Sequence, residues 1–334
     1  MLAGIALVVY PFIFTLPFPQ HIMIMIFLYA MLGSAWNILG GYAGQISIGH
    51  AVYFGIGAYT SSFLFKHFGI SPWLAVGPAV FFAIAVSVII GYPTFMLRGH
   101  YFVLASIFIA EIVHILFNNW ELVGAAIGIE MPIVKSDSLW GSLWSFQFHG
   151  SKLPYYYIIM AMFLLVTYVS YRVRGSRFGY YFRAIRDDQD AAKSLGVDIT
   201  KYKLLAMIIS AAFTAFGGVF YAQYVLFVEP PSVISLVVSF QICFVAIFGG
   251  IGTLWGPVIG AFAVVPLSEY LRVYLSGQIA TDISGLAGGS PLAYLRYYLS
   301  GGGGNLDLLV YGFLIMMIAR YQPRGILGFF QKMD

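Results

Sequence analysis

Ten stretches of this chain are apolar over about the length needed to cross a lipid bilayer, and that repetition constrains the fold more than any motif. A hydrocarbon core of about 30 Å takes about 20 helical residues to span. The runs cover residues 2–18, 22–39, 48–65, 73–97, 101–117, 155–171, 204–228, 233–248, 254–275 and 306–319. The first and third are the weakest, being short or rich in Gly and Pro. Composition agrees: the chain is 60% hydrophobic and 9% charged, against roughly 45–50% and 25% for a soluble domain. The expectation is an all-α integral membrane protein with about ten transmembrane helices in one domain, residues 1–334. Residues 2–18 have no basic n-region and no small-residue cleavage site, so they read as a retained first span and not a signal peptide.

The charges are concentrated in one block. Residues 172–203 hold eight of the 17 basic and four of the 13 acidic residues. Such a block must sit in water, and a short loop rich in Lys and Arg stays on the cytoplasmic side. Ten spans then place the C-terminus inside as well. Twelve basic residues fall inside: Arg98, the eight of the block, and Arg320, Arg324 and Lys332. Five fall outside: Lys66, Lys135, Lys152, Arg272 and Arg296. The net charge of +4 thus reports orientation and not nucleic-acid binding. Two outer loops are long. Residues 118–154 carry Trp120, Trp140 and Trp144, and residues 276–305 hold Gly288-Gly289, the glycine run 301–304 and a short interfacial helix expected at 291–298. Each reads either as a connector with aromatic anchors or as a platform for an extracytoplasmic partner. The single cysteine, Cys243, excludes an intrachain disulfide. The scattered histidines offer no metal site.

Two Gly-rich stretches interrupt the apolar pattern. The first, 37–50, offers Asn37, Gly40, Gly41, Tyr42, Gly44, Gln45, Ser47 and His50; the second, 248–257, offers Gly249, Gly250, Gly252 and Thr253. Neither is a phosphate loop, because no Lys-Ser or Lys-Thr follows the glycines. Both run from glycines through a possible N-cap, Ser47 or Thr253, into an apolar helix. Transporters build broken helices this way, and the amides at the helix start favour a substrate carboxylate. The stretches are therefore candidates for a translocation path. The alternative is helix packing: Ser47, Ala51 and Gly55, then Gly252, Gly256 and Gly260, and Ser210, Thr214, Gly218 and Ala222 recur at spacing four. Asn37, Gln45 and Ser47 favour the path reading, since a polar group facing lipid is costly. Glu111 stands out as an acid deep in a run, with His114 on the same face. It is either a proton relay or a structural polar contact between helices. So few intramembrane titratable groups argue against an ion-driven carrier.

Within the charged block, Asp190-Ala191-Ala192 followed by Gly196 reads D-A-A-x-x-x-G. This resembles the E-A-A-x-x-x-G coupling loop of ABC importer permeases, with Asp190 in place of Glu. The resemblance extends from residue 37 to the C-terminus and is carried by residues 37–59, 182–206 and 248–261 in that order. It is closest to the larger of the two permease types of branched-chain amino acid importers. Permeases of urea and short-amide importers are similar. The resemblance implies a subunit of the cell inner membrane that is not itself an enzyme. A second permease, in a heterodimer, completes the pore. Two ABC ATPase subunits on the cytoplasmic face carry ATP and Mg, and this chain holds no cofactor. An extracytoplasmic substrate-binding protein delivers leucine, isoleucine or valine, which moves by alternating access. In the coupling loop, Ala184, Ala191, Ala192 and Leu195 would present a small apolar face to the ATPase, with Arg183, Arg186, Asp187, Asp188 and Asp190 as a charged rim and Gly196 at its end. Rival classes are a urea or amide importer, a secondary carrier, and a passive channel. The sequence leaves open whether the Gly-rich stretches are re-entrant or continuous helices.

Overall fold

In the computed structural model of the protein, residues 2–97, 99–134, 139–148 and 151–285 are described, with Gly312, Phe313, Met316, Arg320, Gly325 and Ile326. Apart from those isolated positions, the expected span at 306–319 lies outside the described residues. So do the helix at 291–298, the glycine run 301–304, and Arg98, Lys135, Arg296, Arg324 and Lys332.

The described chain is almost wholly helical. In order come α1 (Leu2–Ile13), α2 (Pro17–Asn37), a π-helical turn (Ile38–Tyr42), α3 (His50–Phe68), α4 (Pro72–Thr94) and α5 (His100–Asn119). Then follow β1 (Ile129–Glu130), α6 (Leu139–Ser145), α7 (Leu153–Gly175), α8 (Arg177–Asp187), α9 (Gln189–Ser194) and α10 (Ile199–Val225). The last are β2 (Phe227–Val228), α11 (Pro230–Val233), α12 (Leu236–Gly250) and α13 (Gly256–Gly285). Proline opens α2, α4 and α7, where its missing amide costs nothing.

Among the described residues, six helices are long and apolar enough to cross a membrane: Pro17–Tyr42, Pro72–Thr94, His100–Asn119, Leu153–Gly175, Ile199–Val225 and Pro230–Gly250. The expected run 2–18 is broken, since α1 has only 12 residues and α2 starts at Pro17. The run 48–65 becomes α3, which is enclosed by the bundle and carries buried Ser61 and Ser62. A helix shielded by protein can hold such groups without exposing them to lipid. From residue 256 on, the run 254–275 lies within the 30-residue α13. The apolar window of α2 is 89% buried, which makes it the axis of the bundle, whereas that of α5 is 22% buried and belongs to the rim. Phe108, Ile112, Phe81 and Ile89 on α5 and α4 point outward, as lipid-facing side chains do.

The buried side chains fall into two clusters that mark two distinct ends of the bundle. One gathers Ile38, Tyr42, Phe95, Phe102, Phe182 and Met207 in a buried cluster. The charged block lies at this end. The other end gathers Phe65, Phe117, Phe146, Tyr155 and Phe220. There β1 and β2 pair antiparallel, with Ile129 opposite Val228, and Trp73 Nε1 and Ser71 Oγ donate to the Leu143 and Trp144 carbonyls of α6. Small residues let α10 and α3 cross closely. A Cβ on Gly218 of α10 would overlap the Phe54 carbonyl of α3, so the stripe Ser210, Thr214, Gly218 and Ala222 is a packing seam, all of it buried.

Candidate functional site

The two Gly-rich stretches meet at the charged end of the bundle, and Asn37 joins them. Asn37 is the last residue of α2 and is 1% exposed. Its Nδ2 donates to the Thr253 carbonyl at 2.8 Å, and its Oδ1 accepts from the Gly252 amide at 2.8 Å. One side-chain amide therefore satisfies a donor and an acceptor of the α12–α13 turn. The turn needs a glycine at 252, where φ is +75°. Beyond Asn37 the chain widens into the π turn, closed by the Gln45 amide donating to the Leu39 carbonyl at 3.1 Å. Such turns insert a residue into the helical ladder and often mark functional sites. Trp36 Nε1 donates to the Ser47 carbonyl at 2.7 Å and folds the loop back onto α2. Tyr42 and Ser170 of α7 share a hydrogen bond of 3.0 Å.

The charged block is folded, not a loose loop. Ser176 caps α8 by accepting from the Gly179 amide, Asp188 caps α9 by accepting from the Asp190 and Ala191 amides, and Asp198 caps α10 by accepting from the Lys201 amide. Phe182 and Ile185 anchor the buried face of α8. Lys203 Nζ, on α10, donates to Gln189 Oε1 at 3.0 Å and holds α9. Gly196, with φ +83°, ends the segment.

Arg186 connects this segment to the junction. Its Nη1 donates to the Gly41 carbonyl at 3.1 Å. A Cβ on Gly44 would lie 2.7 Å from Arg186 Cγ, and one on Gly252 would lie 2.8 Å from Arg186 Nη1. A Cβ on Gly41 would overlap Asn37 Oδ1. These three glycines thus make room for two side chains, Arg186 and Asn37. The charged segment, the π turn and the α12–α13 turn form one hydrogen-bonded unit.

The structure redistributes several expected residues. Ser47 Oγ accepts from the Gly49 amide at 3.3 Å, but the start of α3 is capped from its neighbours. Ser106 of α5 accepts from the Ile48 amide and Ser239 of α12 from the Ala51 amide, each at 3.0 Å. Thr253 Oγ1 accepts from the Gly256 amide at 3.0 Å. The Ile48 and Ala51 amides at the start of α3 are therefore taken by hydroxyls from other helices, and the Gly256 amide at the start of α13 by the neighbouring Thr253. His50 Nε2 lies 2.8 Å from Ser210 Oγ, whose proton goes to the Ala35 carbonyl, so His50 Nε2 is the donor. Gly40 packs on the Trp36 ring, and a Cβ on Gly249 would overlap the Gly256 carbonyl. Gly250 has positive φ. Of the expected outward face of the coupling segment, Ala184, Ala191 and Leu195 are exposed, Leu195 to 85%. Ala192, expected among them, is 2% exposed and packs inward, because it lies on the side of α9 that faces the bundle. Of the expected charged rim, Asp187 and Asp190 are exposed and Arg183 is half-buried. Asp188 is a cap and Arg186 reaches into the junction.

Glu111 is half-buried on the rim helix α5, and His114 Nδ1 is buried with no partner among the described residues. A second acid within an expected span is more deeply set. Glu269 of α13 is 9% exposed and lines a small cavity with Tyr29, Gln241 and Ser268, where Tyr29 Oη donates to Gln241 Oε1 at 2.6 Å. The sequence signal for it, an acid within the run 254–275, was the one that singled out Glu111.

Comparison with known proteins agrees with this arrangement. Residues 18–325 match the family model described as "Branched-chain amino acid transport system / permease component". The high-affinity branched-chain amino acid transport system permease protein LivM of Salmonella typhimurium is 29% identical over 267 residues, 74% of this chain and 62% of that protein. The probable branched-chain amino acid transport permease protein LivM of Methanocaldococcus jannaschii is 23% identical over 335 residues, 90% of each. The LivH permease protein of Salmonella typhimurium is 24% identical over 270 residues, 77% of this chain and 85% of that protein. The chain thus spans about 62% of the length of the first of these relatives. No solved structure matches it. A multi-pass helical membrane protein whose family match runs through both Gly-rich turns and the charged segment between them, the chain belongs to the branched-chain amino acid transport system permease family.

Proposed function

We propose that this protein is one permease subunit of an ATP-driven importer for leucine, isoleucine and valine in the cell inner membrane. It forms a single transmembrane domain. The charged end of the bundle faces the cytoplasm, where the Lys/Arg excess belongs. ATP and Mg reside on two partner ATPases that dock against the α8–α9 segment through Leu195, Ala184 and Ala191. A second, unlike permease completes the pore, a pairing supported by relatives named both LivM and LivH. An extracytoplasmic binding protein delivers the substrate.

The observation that carries this reading is the hydrogen bond from Arg186 to the Gly41 carbonyl at 3.1 Å. Through it, displacement of the docked segment pulls on the π turn, and Asn37 passes the pull to the α12–α13 turn. Both breaks in the helical bundle then move together, as alternating access between two states requires.

The test is uptake into proteoliposomes that hold the assembled transporter, with binding protein outside and ATP inside. Leucine uptake should need both, and Arg186→Ala should retain ATP hydrolysis while losing most uptake. Normal leucine uptake by that variant would remove the coupling role. Uptake of urea in place of leucine would keep the transporter class and change the substrate. Uptake by this chain alone without ATP would overturn the importer reading.

A further inference from the structure

A cleft of about 570 Å³ opens at the charged end of the bundle, between the end of α7, the start of α8 and the α12–α13 turn. Arg172, Arg174 and Arg183 line it together with Tyr171, Tyr180 and Trp255, and no carboxylate does. Among the described residues, none of the three guanidiniums pairs with an acid, whereas Arg186 nearby pairs with Asp187 at 3.3 Å. Arg183 is held in place: its Nε donates to the Gly179 carbonyl, its Nη2 to the Arg174 carbonyl, and its guanidinium lies 4.7 Å from the Tyr180 ring centroid. The positive end of the α8 dipole adds to the field, because Ser176, the α8 cap, also lines the cleft. The site is therefore suited to an anion with several oxygens, which planar guanidiniums grip in pairs.

Two further observations say what carries the anion. Arg172 and Arg174 occupy the last turn of the apolar, 23-residue α7, so the cleft sits at headgroup depth, where exposed Trp and Tyr also belong. Below it, an apolar stripe descends the outer face of α7. Leu164, Tyr168 and Tyr171 follow at helical spacing and are all more than half exposed, and Arg172 Cζ lies 6.0 Å from the Tyr168 ring centroid. The stripe runs from the cleft into the depth of the hydrocarbon. A free anion would use the guanidiniums and ignore the stripe; an amphiphile uses both.

We infer that this cleft binds the phosphate of an anionic phospholipid, whose acyl chain lies along Leu164, Tyr168 and Tyr171. The lipid would brace α7 against α8 at the base of the charged segment, so lipid charge would bear on how firmly that segment is held. This site does not depend on which substrate is carried.

The full chain in neutral phosphatidylcholine nanodiscs is compared with nanodiscs containing phosphatidylglycerol, reading thermal unfolding and the lipids retained in native mass spectrometry. Phosphatidylglycerol should stabilise the protein and stay bound when phosphatidylcholine is stripped. The exposed pair Arg172→Gln and Arg174→Gln should weaken its binding roughly fivefold for each guanidinium removed, with circular dichroism in neutral detergent unchanged. Arg172→Lys with Arg174→Lys should recover part of the binding lost in the glutamine pair, since the charge returns without the paired grip. Equal retention of both lipids, or full phosphatidylglycerol binding by the glutamine pair, would overturn the site. Equal stabilisation by inorganic phosphate would make it a free-anion site and overturn the lipid assignment. Displacement of the lipid by an acidic peptide, but not by excess lipid, would give the arginines to a protein partner and overturn it as well.

Discussion

Asn37 shows how a single side chain can set the geometry of a transporter at the residue scale. Its amide satisfies Gly252 and Thr253 across 215 and 216 residues of sequence. Removing it leaves an amide and a carbonyl partly buried and unpaired, at about 1–3 kcal/mol for each. Asn37→Ala should therefore lower the unfolding temperature, measured by scanning fluorimetry in detergent. Asn37→Asp should be no better, since a carboxylate still accepts from Gly252 but cannot donate to Thr253; wild-type stability in either variant would dispose of the clamp. The glycines beside it have a related purpose. Gly41 and Gly44 are where Asn37 and Arg186 fit. Sequence alone left their role divided between a path and helix packing, because the side chains they accommodate come from distant segments of the chain.

The charged block becomes a mechanical element through its caps. Ser176, Asp188 and Asp198 each start a helix, so three short-range hydrogen-bond patterns turn the polar chain from 176 onward into an ordered arm. Losing an N-cap costs about 0.5–2 kcal/mol. Asp188→Ala should loosen α9, seen as faster amide exchange over residues 189–195, while the exchange of α2 and α10 is unchanged. Unaltered exchange in α9 would mean that packing of Ala192, and not the cap, holds it. On the outer side, Leu195 leaves a large apolar side chain in water. Leu195→Glu should leave the unfolding temperature alone and abolish co-purification of the ATPase subunits; retention of the ATPases would move the docking surface elsewhere. Between α3 and α10 the limit is space. Gly218→Val must push these helices away from each other at their closest crossing, and overpacking of this kind costs about 1–3 kcal/mol. A lower yield of monodisperse protein is the expected result, and wild-type behaviour would show that the crossing can widen freely.

Over the whole molecule, the bundle has a buried axis, α2, and two ends of different character. The end that carries the arm joins it to both Gly-rich turns through Arg186 and Asn37, and the other end is tied by β1, β2 and α6. Much of this architecture was legible in advance. Apolar runs announce membrane helices because hydropathy is a local sum, and segregated charge announces which end stays in water, because a charged block has no place in hydrocarbon. The Asp190–Gly196 pattern marked the arm for the same reason: its residues are neighbours in sequence. Count and contact were less legible. Run 48–65 forms α3, enclosed by the bundle, and run 2–18 divides between α1 and α2, because hydropathy tells neither what surrounds a helix nor where one helix stops and the next begins. Glu269 passed unnoticed although it carried the same signal as Glu111. By itself the sequence determined the class of fold, the family and the place of the arm, all consequences of which residues stand side by side. Only the tertiary structure decided that Arg186 reaches Gly41 and Asn37 reaches Thr253, because a hydrogen bond across 145 or 216 residues exists only once packing has chosen which helices are neighbours.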